Sequence, residues 1–338
     1  MNEIEIFEMG LATAMGSSVE ATLAALNKAR SAYFSNPSFV GSDFKKQVCA
    51  FRHAESVGSL KDRVSALAEE AIDDLFDRLM AARKSLNGPI DVIINLPEVS
   101  ARDGISRTTA ERIATELADS VAQRLAMHRV QVRRSRSEFG GAAYALGAMG
   151  TIEITTLMLC ADSYSDRKRL TALSEHDLLF SFQENPYGLV PGEAAAAVLI
   201  IPGTTDAPFA HIFGVGEGAE PIDEFDQQDS IFTGTSDAAF LAFRDDPTPV
   251  NCVITDWNGS RYRAAQLSYT LHRISRDHLV PGTEPESPAP AFGDCGAAFL
   301  GVAMLAVHRQ VVGRTDGVRA LILAGSPASR RRAALVLE

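Results

Sequence analysis

The chain has 338 residues, 46% of them hydrophobic and 22% charged, which is apolar enough to bury a large core and excludes global disorder. The formal net charge of −11 argues against nucleic acid as the main partner. Mean hydropathy is +0.01 and the longest apolar stretch, Ala194 to Pro202, is strand-sized, so no membrane span is expected.

The opening MNEIEIFEMG has neither a basic region nor an apolar core of the signal-peptide kind. A cytoplasmic location is the default expectation. Ile4 to Phe7 reads as a strand. GLATAMGSS then turns into a helix capped by Ser17 or Ser18, with Val19, Leu23 and Leu26 on one face. Lys46 to Phe51 is a weak strand. Leu60 to Arg83 is a long amphipathic helix, apolar at Val64, Leu67, Ala71, Leu75 and Leu79. A buried strand (Asp91 to Leu96), a second long helix (Thr108 to Met127) and a strand (Arg129 to Arg133) follow. A small-residue helix (Gly140 to Met149) then leads into an apolar strand (Thr155 to Ala161).

The same grammar recurs. Strands are predicted over Glu193 to Ile201, His211 to Val215 and Asn251 to Asp256, and helices over Ser236 to Phe243 and Arg261 to His272. A second small-residue helix spans Asp294 to His308, before strands at Val318 to Ala324 and Ala333 to Leu337. Alternating strands and helices predict an α/β architecture with mostly parallel, buried sheets. GGAAYALGAM and GDCGAAFLGVAM occupy equivalent places, so the pattern reads as an internal duplication. The expected parts are 1–165 as the first half, 166–205 as a connection and shared strand, and 206–338 as the second half. Gly218 to Asp229 and Pro281 to Pro290 read as surface loops, and Tyr164 to Pro191 as a longer connection that covers a site or an interface.

Cys49, Cys160, Cys252 and Cys295 include no CxxC pair, and the histidines show no metal-ligand spacing. No disulfide framework, metal, flavin or nicotinamide site is expected. Three basic clusters, at Arg133, Arg134 and Arg136, at Arg167 to Arg169 and at Arg330 to Arg332, read either as solvated surface or as landing patches for an acidic partner.

Five segments in collinear order resemble the β-ketoacyl synthase branch of the thiolase-like superfamily: IEIFEMGLATAMGSSVEATLAAL, GLVPGEAAAAVLII, FAHIFGVGEGAE, FGDCGAAFLGVAML and RALILAGSPASRRRAALVLE. The resemblance implies a thiolase-like αβαβα sandwich built from two duplicated halves. It also implies thioester chemistry: a cysteine at a strand-to-helix elbow, activated by the helix N-terminus, and two assisting histidines.

This sequence departs at each of those points. The elbow reads RSRSEFGGAAYAL, and the cysteine position falls on Ser137, Glu138 or Phe139. TDWNGS puts Asp256 at the first histidine position, and AFGD puts Asp294 at the second. Ser137 reads as an acyl acceptor or an N-cap. Glu138 reads as a stand-in for the glutamine of non-acylating relatives or as an acid supporting the helix start. Asp256 and Asp294 read as a pair of acids that binds a cation, shares a proton or does acid–base work. Alternatively, Asp256 ties a turn to Arg261 or Arg263, and Asp294 caps a helix. Phe139, Trp257, Asn258 and Phe292 are the candidate substrate-lining residues, and Arg133, Arg134 and Arg136 the candidate docking patch for an acidic carrier.

A chain with this set is not expected to run cysteine-dependent condensation. The resemblance implies a non-condensing partner or chain-length-factor-like subunit, meeting an acyl carrier protein or acyl-CoA thioester. It further implies a homodimer, or a heterodimer with a synthase, joined through an edge strand of the first half. The alternatives are an acyltransferase or malonyl-thioester decarboxylase using Ser137 or Glu138 with Asp256 and Asp294, and a repurposed ligand-binding or assembly protein.

Overall fold

The computed structural model describes all residues except 1–2, 29, 42, 53–58, 87, 101–104, 226–229 and 312–316. The strands are β1 (Ile4–Thr13), β2 (Phe34–Val40), β3 (Lys46–Cys49), β4 (Ile90–Asn95), β5 (Val132–Glu138), β6 (Thr156–Ser163) and β7 (Glu193–Pro202). They continue as β8 (Ala210–Ala219), β9 (Cys252–Thr255), β10 (Pro285–Glu286), β11 (Ala320–Gly325) and β12 (Arg331–Leu337). The helices are α1 (Val19–Asn27), α2 (Leu60–Ala81), α3 (Arg107–Met127), α4 (Gly141–Ala148), α5 (Arg167–Glu175), α6 (Gly234–Ala242), α7 (Arg261–His278), α8 (Ala289–Phe292) and α9 (Phe299–Val311).

Ten strands form one sheet in the order β10-β9-β11-β12-β8-β1-β7-β6-β4-β5, and β2 pairs with β3 apart from it. From each outer edge inward, the order runs third, second, fourth, fifth, first strand of its half. The two halves therefore share one topology. They meet at β1 and β8, which pair through Ile4–Ile212, Glu5–His211 and Ile6–Ala210. β7, expected to be a shared strand, lies wholly within the first five-stranded section, between β1 and β6.

Burial follows from the pattern. Along β7, Ala194, Ala196, Val198 and Ile200 face the central core, while Ala195, Ala197 and Leu199 face the outer one. A strand buried on both faces reads as a continuous apolar run. α4 packs on β11 and β12, and α9 on β7, β9 and β1, so the two small-residue helices fill the space between the sections. α2 and α3 cover the outer face of the first section. α6 and α7 cover that of the second. The five layers are helix, sheet, helix, sheet, helix. Small residues make the close approaches possible. Gly214, Gly216 and Gly218 alternate along β8, and a Cβ on any of them would overlap a backbone carbonyl of the α6 segment. No helix among the described residues is long and apolar enough to cross a membrane.

Several boundaries differ from expectation. β1 runs on through Gly10 to Thr13, because Gly10 is a packing position against the α2 backbone rather than a turn. β5 begins later than expected and includes Ser137 and Glu138, which pair with Ile94 and Asn95. The second small-residue helix opens with a 3-10 turn at Gly296–Ala298 before α9.

Candidate functional site

The geometry builds from three chain entries that meet between the halves. β6 ends in Asp162 and Ser163 and hands on to Tyr164. β9 ends at Thr255 and hands on to Asp256 and Asn258. The loop after α8 carries Gly293, Asp294, Cys295 and Gly296. These residues, Ser163 and Thr255 apart, line a cavity of about 60 Å³, together with Gly141 and Ala142 from the start of α4.

Arg263 organises the polar wall. Ser260 caps α7 by accepting from the Arg263 amide, which seats the arginine in the first turn. Its Nε donates to Glu224 Oε2 at 3.0 Å and its Nη1 to the Asp256 carbonyl at 2.8 Å. The same Nη1 stands 3.5 Å from Asp256 Oδ2 and 3.6 Å from Asp294 Oδ2. Burial works against the Arg263 charge, but Glu224, Asp256 and Asp294 together outweigh it and hold the guanidinium ionised. Asp256 Oδ2 also accepts from the Gly325 amide at 2.7 Å. Burial pushes its carboxyl above the ordinary value, against the pull of Arg263. Asp294 accepts from Asn258 Nδ2 at 2.6 Å and from the Gly296 amide at 2.8 Å.

A second buried pair stands beside the first. Asp162 accepts from Arg169 Nη1 at 2.6 Å and from the Ala297 amide at 3.0 Å. Burial raises its carboxyl, with Arg169 opposing. The Arg169 guanidinium lies 3.9 Å from the Tyr164 ring centroid. Burial and the Asp294 charge drive the Cys295 thiol well above its ordinary range, which leaves it protonated and a poor nucleophile. Each of these carboxylates already holds a guanidinium, so the wall is built for order rather than for proton transfer.

The expected site residues therefore separate into groups. Asp256, Asn258 and Asp294 come together at the cavity, joined by Arg263. Ser137 and Glu138 do not reach it. Both lie on β5 at the sheet edge, where Glu138 sits 3.7 Å from Arg136. Phe139 packs against the outer core, and Phe292 is buried in the central one. Trp257 is 40% exposed and donates its indole N–H to the Ser260 carbonyl. At the elbow the residue that faces the cavity is Gly141, with φ +60°. Arg133, Arg134 and Arg136 line a recess of about 220 Å³ on the open edge, where Arg133 forms a bidentate pair with Asp91.

Sequence reasoning missed Asp162, Tyr164, Arg169 and Glu224. Arg169 and Arg332 were read within surface clusters, yet they are 1% and 2% exposed. A signal existed for two of these. Asp162 is an acid closing an otherwise apolar strand, and Arg332 is the inward member of an alternating pair with the exposed Arg331.

No protein-family model and no curated protein matches the chain. Solved structures do. A type II polyketide synthase acyl-carrier protein in complex with its ketosynthase bound to the hexaketide matches with a TM-score of 0.77 at 12% identity, over 100% of this chain and 99% of that one. The ishigamide ketosynthase/chain length factor matches at 0.75 and 16% identity, over 99% and 98%. A β-ketoacyl synthase from Burkholderia phymatum matches at 0.69 and 15% identity, over 100% and 99%. The chain is thus built on the ketosynthase, thiolase-like fold.

Proposed function

We propose that this chain is a non-condensing, ketosynthase-like subunit of acyl-thioester metabolism of the fatty acid or polyketide type. It works beside a partner chain, in the manner of a chain-length factor. The observation that carries this reading is the state of Asp256 and Asp294. At the positions where the resemblance puts two histidines stand two acids locked onto one buried arginine. Condensation needs groups free to polarise a thioester carbonyl and to stabilise an enolate. Here Arg263, Asn258 and backbone amides take up that capacity. The small cavity and the glycine at its elbow point the same way. Arg133, Arg134 and Arg136 on the edge are the proposed docking patch for an acidic carrier.

The test is intact-mass spectrometry of the purified chain after incubation with acyl- and malonyl-phosphopantetheine thioesters, with thioester loss followed in parallel. The expected result is neither an adduct nor turnover. An adduct mapped to Ser137 or to a cysteine would make the protein an acyltransferase. Malonyl loss abolished by Glu138→Gln would make it a decarboxylase.

A further inference from the structure

Beside the small cavity, and sharing Leu178, Leu189 and Glu224 with it, lies an open groove of about 1320 Å³. It is bounded by the 177–189 loop on one side and the first turns of α7 on the other. Its lining carries more acids than bases. Asp43, Asp177 and Glu184 line it, and Glu224 stands at its floor, already committed to Arg263. Arg261 is the single cationic side chain among its described lining residues. The Asp43 carboxyl is held below its ordinary range, chiefly by the Ser181 hydroxyl, and so stays ionised. A cleft lined mainly by one sign of charge concentrates the opposite ion.

The rings of the groove receive cations. Arg261 stands 4.2 Å from the Tyr187 centroid, Arg273 5.4 Å from that of Tyr269, and Arg332 5.7 Å from that of Tyr262. All three tyrosines of the groove thus carry a guanidinium of the chain itself on one side. Tyr187 and Tyr269 remain 50% and 46% exposed, which leaves ring surface for another. Ile231, 63% exposed, adds apolar surface at the rim. The volume exceeds the roughly 300–1,000 Å³ that one small molecule fills.

We infer that this groove binds an extended basic peptide segment of a partner protein, taking arginine or lysine side chains between its tyrosines and carboxylates and apolar side chains at its rim. This surface is separate from the arginine-rich β5 edge and fits a partner of opposite charge. It does not depend on whether the chain has thioester activity.

The experiment uses the full chain and three probes: a labelled nine-residue peptide alternating arginine with leucine, its glutamate–leucine counterpart, and spermine. Anisotropy is read at low and at physiological salt. The basic peptide is expected to bind one to one, with affinity falling as salt rises. The isosteric variant D43N/D177N/E184Q is expected to weaken it about tenfold. The variant E111Q/D119N/E153Q, which changes net charge equally at exposed sites away from the groove, is expected to leave it unchanged. Equal weakening by both variants would reduce the effect to the overall charge of the chain and overturn the inference. So would equal affinity for the acidic peptide, or spermine binding as tightly as the basic peptide, which would make the occupant a small cation. Thioester turnover bears only on the previous proposal, so the two readings fail separately.

Discussion

The two halves repeat one strand order, yet their central helices begin differently. α4 starts after Phe139 and Gly140 with no side chain capping it. Its counterpart starts under two carboxylates: Asp294 accepts from the Gly296 amide, and Asp162, reaching across from β6, accepts from the Ala297 amide. One helix start is bare and glycine-lined; the other is acid-capped and tied through Arg263 and Arg169 to three further elements. The contrast teaches that duplicated scaffolds diverge most where the repeat no longer has to match, at the helix mouths facing the shared cavity. It also shows that burial turns acids into cement.

Removing the cement has the largest expected effect. Arg263→Met strands Glu224, Asp256 and Asp294 without their common cation and is expected to cost roughly 3–5 kcal/mol of stability. Urea denaturation measures it, and a loss below 1 kcal/mol would show that the second helix mouth is no better tied than the first. Next in size comes Gly296→Ala. Gly296 sits at φ +49°, and a Cβ there would overlap Asp162 Oδ2. The cost is expected at about 2–4 kcal/mol, from left-handed backbone and overpacking together. The matching change in the bare mouth, Gly141→Ala, meets Ser326 Oγ at 3.2 Å and carries the backbone term alone, about 1–2 kcal/mol. If the two alanine variants were equally stable, the asymmetry between the mouths would vanish.

The smallest effect concerns pH. Burial raises the Glu98 carboxyl above its ordinary 4.5, with hydrogen bonds from Ser329 and Ala328 opposing. A carboxyl whose folded value lies above the unfolded one contributes stability that is complete below the unfolded value and lost as pH rises through the folded one. Wild type is therefore expected to lose stability relative to Glu98→Gln as the pH climbs from about 4 towards neutrality. Denaturation midpoints of the two proteins across that range give the sign, and the opposite slope would refute it.

Much of the fold was legible in the sequence because apolar periodicity reports burial directly. α2 and α3 agree with their predicted spans to within two residues, and Ser18 caps α1 as one reading of the serines expected. Where elements were missed, the hydrophobic signal was absent. β5, VRRSRSE, is an exposed edge strand with no apolar face, so its start was read too early and Ser137 and Glu138 were assigned to the elbow instead of the strand. α5, RKRLTALSE, is so polar that it passed for loop, which hid Arg169. The site was less legible for a related reason. Asp256 and Asp294 stood out by resemblance, and Arg263 as one of two partners read for Asp256, but Glu224 joins them only through a contact across the fold, which no local pattern records.

The register of β1 has a consequence for synthesis. It is made before both of its neighbours and ends up central, with Thr13 opposite Ala194 and Ile4 opposite Pro202 on β7, and its other neighbour, β8, comes later still. Roughly 190 residues must leave the ribosome before either edge of β1 can be covered, about 10–40 s at typical elongation rates. An apolar strand waits that long unpaired, so yield in a host should track the supply of chaperones during translation more closely than the stability of the finished protein.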